Sequence, residues 1–352
     1  MSLAIVVRMS ALGLSFFFLV SPASAACYVD GASTRLSNYC ALDKIQGARV
    51  DVRTAQLIDY KLKLEGSKQG LGFPTRVEPH STSKAIYPIL SYSNNINGGN
   101  SPEPLVLGNL TFEGDENLNR KEGIVAGLGV GLNGRYIHAE EKYLTYGANA
   151  SYAYSPEHGI GISTTSANVC SVNHISNWWY VDACANTSRV RKDITDDTNS
   201  NISISGSKVF TSSENSYSQM NLGVNRYFAS VYTQNQVVIG LDTIHANGVY
   251  SAFDVTFGEA VENQLATRFS VSAQVTAQVA NKPLTLSASY ARADGGMLLG
   301  VERSGNTVGI SASYQVWKNL SASIGYRRTD STIDYFDVST PTFGIQFAAI
   351  QF

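Results

Sequence analysis

Between Phe269 and Val279 every odd position is apolar (Phe269, Val271, Ala273, Val275, Ala277, Val279), and every even position is small or polar. A period of two puts one set of side chains on each face of a strand. The alternation returns from Val308 to Val316 and from Leu320 to Arg327, and is already present from Ile124 to Arg135 and from Leu144 to Tyr154. After residue 26 no apolar run approaches the ~20 residues a spanning helix needs. A chain of this kind enters a bilayer only as a closed barrel, because an open sheet leaves edge amides unpaired in hydrocarbon.

Composition fits that constraint. Charged residues are 15 % of the chain, against about 25 % in ordinary globular domains. Thirty glycines and nineteen tyrosines suit strands with lipid on one side and water on the other. A net charge of −2 supplies no basic surface for nucleic acid. No phosphate-cradling loop or dinucleotide fingerprint is present, so no cofactor is expected.

The N-terminus has the parts of a secretory signal peptide over residues 1–25: Arg8, the apolar run Ala11 to Val20, and Ala23-Ser24-Ala25 as the cleavage site. Residues 26–83 lack clear alternation and are expected to form a small periplasmic or plug segment. Within it, 45–65 fits a helix through Val50, Thr54, Leu57, Ile58 and Leu62, or a strand through Tyr60, Leu62 and Leu64; residues 70–83 read as a linker. Residues 84–352 are expected to be the barrel. The fold class is all-β: a single transmembrane antiparallel up-and-down barrel of about 14 strands, with 12 or 16 also compatible. Candidate strands lie near 84–96, 103–113, 123–138, 142–154, 159–170, 184–194, 199–210, 216–231, 235–245, 265–279, 283–292, 306–316, 320–330 and 341–352. The segment 248–257 is open between strand and loop. Short turns at 280–283 and 317–319 alternate with long connections at 293–305 and 331–340, which places both chain ends in the periplasm.

Four cysteines, an even number in an exported chain, favour two disulfides. Spacing suggests Cys27–Cys40 and Cys170–Cys184, although three pairings are formally possible. No CxxC occurs and no histidine stands at ligand spacing beside them, so no metal site is expected. Tyr152, Tyr154, Tyr314, Trp317 and Tyr326 fall near expected strand ends, where girdle aromatics meet the lipid–water boundary.

The terminal FGIQFAAIQF, ending on Phe352, resembles the signal by which Gram-negative outer-membrane barrels are handed to their assembly machinery; it departs from that pattern at Gln346. The whole 84–352 region looks like the barrel domains of Gram-negative outer-membrane proteins. That resemblance implies export through the periplasm to the cell outer membrane, with outer-membrane lipid and the barrel-assembly machinery as partners. Tyr87 to Asn97 is similar to the barrel start of surface lipoprotein assembly modifiers, which export lipoproteins. Residues 26–83 are too short for the helical-repeat domain those proteins carry, and no functional residue carries over.

Three groups of residues bear candidate chemistry. Arg135, Arg268 and Arg327 fall on expected inward faces; they either attract anionic solutes or pair with inward carboxylates and hold the plug. Trp178-Trp179-Tyr180 lie in an expected outer loop between Cys170 and Cys184, and either meet a partner or pack beneath the loop and touch headgroups. His174-Ile175-Ser176 resembles the His-x-Ser of outer-membrane phospholipase and lipid-A deacylase barrels, with Asn186 or Asp182 as the third member; the bracketing cysteines instead imply a clamped loop. The acidic run Asp193 to Asn199 lacks the glycine and final glutamate of an EF-hand and reads as a solvated turn. The expectation is a transport or export pore for small solutes or a secreted partner, and not an enzyme. The alternative is a structural or adhesive barrel with partner-binding outer loops, and a lipid-modifying enzyme built on Ser176 comes last. The cargo is not written in the sequence.

Overall fold

The structure is a computed structural model that describes residues 27–47, 52–65, 71–74, 76–101 and 103–351; the expected leader and Phe352 lie outside the described residues. The alternating segments form an antiparallel meander: β1 (His80–Ser93), β2 (Gly123–Ala139), β3 (Lys142–Ser155), β4 (Ile160–Ser176), β5 (Trp179–Arg191), β6 (Asp196–Ser213), β7 (Ser216–Phe228), β8 (Thr233–Ile244), β9 (Tyr250–Gly258), β10 (Ala266–Val279), β11 (Lys282–Leu298), β12 (Val301–Trp317), β13 (Leu320–Ser331) and β14 (Val338–Phe347). β14 and its continuation Ile350–Gln351 pair with β1, so the sheet closes into a 14-stranded barrel.

The expected number is met through two differences that cancel. Residues 103–113 do not cross; they make only the small hairpin Leu105–Leu107 against Leu110–Phe112. Its turn passes through Gly108 at φ 61°, a left-handed conformation that costs glycine nothing, and three-residue arms cannot span. Residues 250–258, left open by the pattern, are β9 and pair along their length with β8 and β10. The barrel also begins four residues earlier than expected, because His80 to Ser83 pair with Asn133 to Tyr136.

Connections sort by end. The chain-terminal end carries the turns 140–141, 177–178, 214–215, 245–249, 280–281 and 318–319, while the other end carries 94–122, 156–159, 192–195, 229–232, 259–265, 299–300 and 332–337. The long connection expected at 293–305 is instead a hairpin that extends β11 and β12. It is interrupted by a bulge between Ala293 and Gly296, where Gly295 has φ 91°. Residues 170–184, expected as an outer loop, are the β4–β5 hairpin at the chain-terminal end. Cys170 and Cys184 are direct cross-strand partners there, with Cα atoms 4.1 Å apart.

Outward positions are apolar and uncovered: Ile124, Leu128, Val130, Ile202, Ile204, Leu222, Val224, Phe253, Val308, Ile310 and Ile324 are all exposed. From Ile124 to Leu132 this belt rises about 20 Å at ~3.3 Å per residue and a tilt of ~40°, close to the ~25 Å apolar band of membrane barrels. Trp179, Tyr136 and Trp317 are exposed near one end of the strands, and Tyr152, Tyr154 and Tyr326 near the other. The described core lies inside the wall, in two clusters. One seam is short. β1 meets β14 through Ile89↔Gln346, Leu90↔Ile345 and Ser91↔Gly344, and meets its continuation through Ala85↔Gln351 and Ile86↔Ile350. Between them Ala348 N–H turns away and donates to Asn319 O at 2.8 Å.

Candidate functional site

A 14-stranded wall with ~4.8 Å between strands and a tilt of ~40° encloses a lumen about 28 Å across between backbones. Small polar side chains alone cannot fill that width, and the N-terminal segment occupies part of it. Two helices form the segment, α1 (Thr34–Gly47) and α2 (Val52–Leu64); the part of 45–65 they cover is thus helical and not strand, while Val50 lies outside the described residues. Ser33 starts α1, its Oγ accepting from Leu36 N–H at 3.1 Å and donating to Gln219 Oε1 on β7 at 2.5 Å. The same side chain therefore caps the helix and docks it to the wall. Cys27–Cys40 ties the incoming chain to α1, with Cα atoms 5.5 Å apart.

α1 buries Leu36 and Cys40, α2 buries Ile58 and Leu62, and these share one cluster with Val209, Tyr217, Ile244 and Tyr250 of the wall, which α1 meets directly. Tyr39 sets its ring edge-on to Trp178 at 5.0 Å and to Tyr217 at 5.9 Å. Tyr217 donates to Asp43 Oδ2 at 2.7 Å. The polar anchor is Arg35. It donates to Asp182 Oδ1 at 2.6 Å and to Ser207 Oγ at 2.9 Å, with its guanidinium 4.2 Å from the centre of the Tyr180 ring. The Arg35 and Asp182 side chains are only 10 % and 18 % exposed. Most of the plug's hydrogen bonds and ring contacts to the wall fall on β5, β6, β7 and the β4–β5 turn, among the described residues.

Glu65, just past α2, accepts from Asn38 Nδ2 at 3.0 Å, and its other oxygen is buried without a partner. Burial pushes its carboxyl up to about 7, against the opposing pull of the Asn38 bond and the Arg35 and Arg135 charges. The docked plug thus holds a proton more tightly than a free carboxyl at 4.5 does. Docking is unpenalised below about 4.5, weakens as pH rises from there to about 7, and levels off above; the full loss is at most about 3.5 kcal/mol at ~1.4 kcal/mol per unit. Conductance is expected to rise between pH 5 and 8, and Glu65→Gln is expected to abolish that rise. A variant that keeps the full pH response would remove Glu65 from the latch.

The plug reaches round to Tyr250 and Gln274, against which Gly31 packs, and beyond them lies the wall of β10 to β14. A cavity of about 360 Å³ runs along it, lined by Ser272, Ser287, Ser289, Gly309, Ser311 and Thr342, with Asp254 at one side and Arg327 at the other. One lateral row of the sheet carries both charges: Asp254↔Ser272↔Ser289↔Gly309↔Arg327. Ser287 and Ser311 share a hydrogen bond of 2.6 Å, as do Thr307 and Thr329 at 3.0 Å. This face is small, neutral and hydroxylated apart from its two ends.

The three arginines do not form one site. Arg135 lines the pocket between plug and wall beside Glu65, with Nε and Nη2 buried and unpartnered. Arg268 sits in the bulge between Thr267 and Phe269. Arg327 lines the cavity along β10 to β14. The aromatic triplet divides as well. Trp178 and Tyr180 pack under the plug, and Trp179 faces outward with the Lys208 ammonium 5.3 Å from its ring centre. His174 Nδ1 meets Glu141 Oε1 at 3.1 Å and its ring lies 4.9 Å from Tyr180. Among the described residues no hydrogen bond joins His174 to Ser176, which lies across a bulge. Asp182 accepts from Arg35, and Asn186 donates to Asn201 at 2.8 Å, so neither orients the histidine. No local sequence signal marks Arg35, Asp182 and Glu65 as plug anchors, since Arg35 and Asp182 are 147 positions apart.

No protein-family model and no curated protein matches the chain. Among solved structures it is similar to OprB of Pseudomonas putida, at 7 % identity and TM-score 0.45 over 78 % of this chain and 94 % of that one. It is also similar to OccAB4 of Acinetobacter baumannii, at 6 %, 0.41, 80 % and 100 %. The outer membrane protein OprD of Pseudomonas aeruginosa follows at 8 %, 0.39, 78 % and 94 %. Likenesses this low carry no argument about function; the closed barrel is established by its own register.

Proposed function

We propose that the chain is an outer-membrane diffusion pore for small polar solutes, with a docked N-terminal plug narrowing its lumen. The observation that carries the reading is the division of the lumen. The helices are anchored by hydrogen bonds on β5 to β7, and a Ser- and Gly-lined cavity lies along β10 to β14. The uncovered apolar belt supports a bilayer location, and the short turns at the chain-terminal end support a periplasmic placement of both termini. The reading gives the protein no catalytic role, consistent with a His174 held between Glu141 and Tyr180. Ion conductance of the purified protein in planar bilayers tests it, and a silent barrel, both intact and with the plug deleted, would end it.

Arg327 supplies a finer check. A single charge ~8 Å from a passing ion is worth about 0.5 kcal/mol in water, or roughly a twofold change in local concentration. Arg327→Ala is therefore expected to move the reversal potential toward cation selectivity by about that factor. An unchanged reversal potential would mean that ions do not pass this wall.

A second reading, a barrel whose outer surface meets a partner, is favoured by the 105–112 hairpin, which exposes Val106, Leu110 and Phe112. Its test is loss of surface binding when those three residues are made polar while conductance is retained.

A further inference from the structure

Beyond the plug, toward the other end of the barrel, the lumen wall carries a second recess that the plug leaves unfilled. Its volume is about 440 Å³. Its principal lining residues fall on one lateral row of the sheet. Asn133 on β2 stands opposite Gly147, Gly147 opposite Asn168, Asn168 opposite Asn186, Asn186 opposite Asn201, and Asn201 opposite Tyr227. Six adjacent strands thus contribute four carboxamides and a phenol at one level, and Asn149 adds a fifth amide one row away. Among the described residues no charged side chain lines the recess.

The register explains why the amides lie along the wall. A Cβ on Gly147 would collide with Asn168 Oδ1 and stand 2.8 Å from Asn133 Oδ1, so side chains from two strands converge over the glycine. A Cβ on Gly131 would stand 2.8 Å from Asn149 Oδ1. Beneath this level, the next row on the same face holds the Cys170–Cys184 disulfide, which pins β4 to β5. Above it, the connection 94–122 is tied to the β5–β6 loop by Lys192 Nζ donating to Asn95 O at 2.6 Å and Ile194 N–H donating to Asn97 O at 2.8 Å. The recess is a rigid shelf between the plug and the mouth.

Its hydrogen-bonding capacity is mostly unspent. Asn186 donates to Asn201 Oδ1 at 2.8 Å, and Tyr227 donates to Asn199 Oδ1 at 2.7 Å. The Asn133, Asn149 and Asn168 amides make no hydrogen bond among the described contacts. A carboxamide presents both donors and acceptors, so a row of them matches a ligand whose groups also do both. Hydroxyl groups have that property. A carboxylate only accepts and an ammonium only donates, and either would surrender hydration with no counter-charge on this shelf.

We propose that the amide row is a binding site for uncharged polyhydroxylated solutes, polyols or sugars, that traverse the lumen. The assignment rests on the pore reading for access, since the shelf faces the lumen.

Calorimetric titration of the full-length protein in detergent tests it with sorbitol, gluconate, glucosamine and N-acetylglycine N-methylamide. The first three share a six-carbon skeleton and differ in charge, and the last is a neutral amide. Sorbitol is expected to bind at least about tenfold more tightly than gluconate or glucosamine, because only the ions lose uncompensated hydration. Asn133→Ala/Asn168→Ala/Asn186→Ala is expected to abolish that binding. Asn168→Asp, which keeps the side-chain size, is expected to favour glucosamine over sorbitol. Equal binding of gluconate, equal binding of the neutral amide, or unchanged sorbitol binding in the triple variant would overturn the proposal. So would the absence of sorbitol binding in a preparation that conducts ions, which leaves the pore reading standing. A silent barrel that binds sorbitol supports the site and removes the pore.

Discussion

Deleting residues 27–74 while keeping residues 1–26 should leave a barrel that assembles and passes at least about threefold more current per channel. The wall owes its closure to hydrogen bonds between its own strands, from β1 around to β14, so the plug is not needed to complete it. What the plug supplies is obstruction. After about 5 Å of side chain on each side, a ~28 Å backbone diameter leaves roughly 18 Å of free width. Two helices, each about 10 Å across with side chains, fill most of that section. Single-channel recording of the intact and deleted proteins measures the difference. Equal conductance would mean that the helices do not obstruct the current path, and closed channels in both would remove the pore.

The second large effect is expected at the Arg35–Asp182 pair. Asp182→Ala leaves a guanidinium in a site where it is 10 % exposed, with Ser207, the Tyr180 ring and the Tyr143 hydroxyl beside it but no carboxylate in contact. Removing one partner of a buried pair costs about 3–5 kcal/mol, a shift of roughly two to three and a half decades in the docked-to-free ratio. The plug of this variant should be cut by protease under conditions that spare the native protein, and its conductance should approach that of the deletion. Replacing both residues, Arg35→Met with Asp182→Leu, removes the stranded charge and should restore most of the docking. An Asp182→Ala protein as resistant as the native one would show that the apolar contacts of Leu36, Tyr39 and Tyr217 hold the plug without the ion pair.

The wall was legible because each strand presents lipid and water to opposite faces, which writes a period of two along the chain. The outward set of β2, from Ile124 through Leu132, is where that alternation places it. β9 was ambiguous for a physical reason: it spans only nine residues, and its inward set includes Asp254 and ends at Gly258. Residues 103–113 misled because two leucine-rich arms on either side of Gly108-Asn109 look like one strand when the turn is overlooked. The plug could not be read locally. The burial of α1 and α2 is supplied by strands more than a hundred residues away, so neither helix needs a strong apolar stripe of its own. The lumen sites were further out of reach. Asn133, Asn168, Asn186 and Asn201 are unevenly spaced in the chain and become a row only once strand register is set.

The join between β1 and β14 has a mechanical consequence. Every other neighbouring pair is laced along most of its length, whereas this one is laced in two short stretches with a detour at Ala348 between them. A barrel stretched sideways should part there before anywhere else. A cross-link between opposed positions such as Ile89 and Gln346 would then stiffen the cylinder more than the same bridge placed between any other two staves.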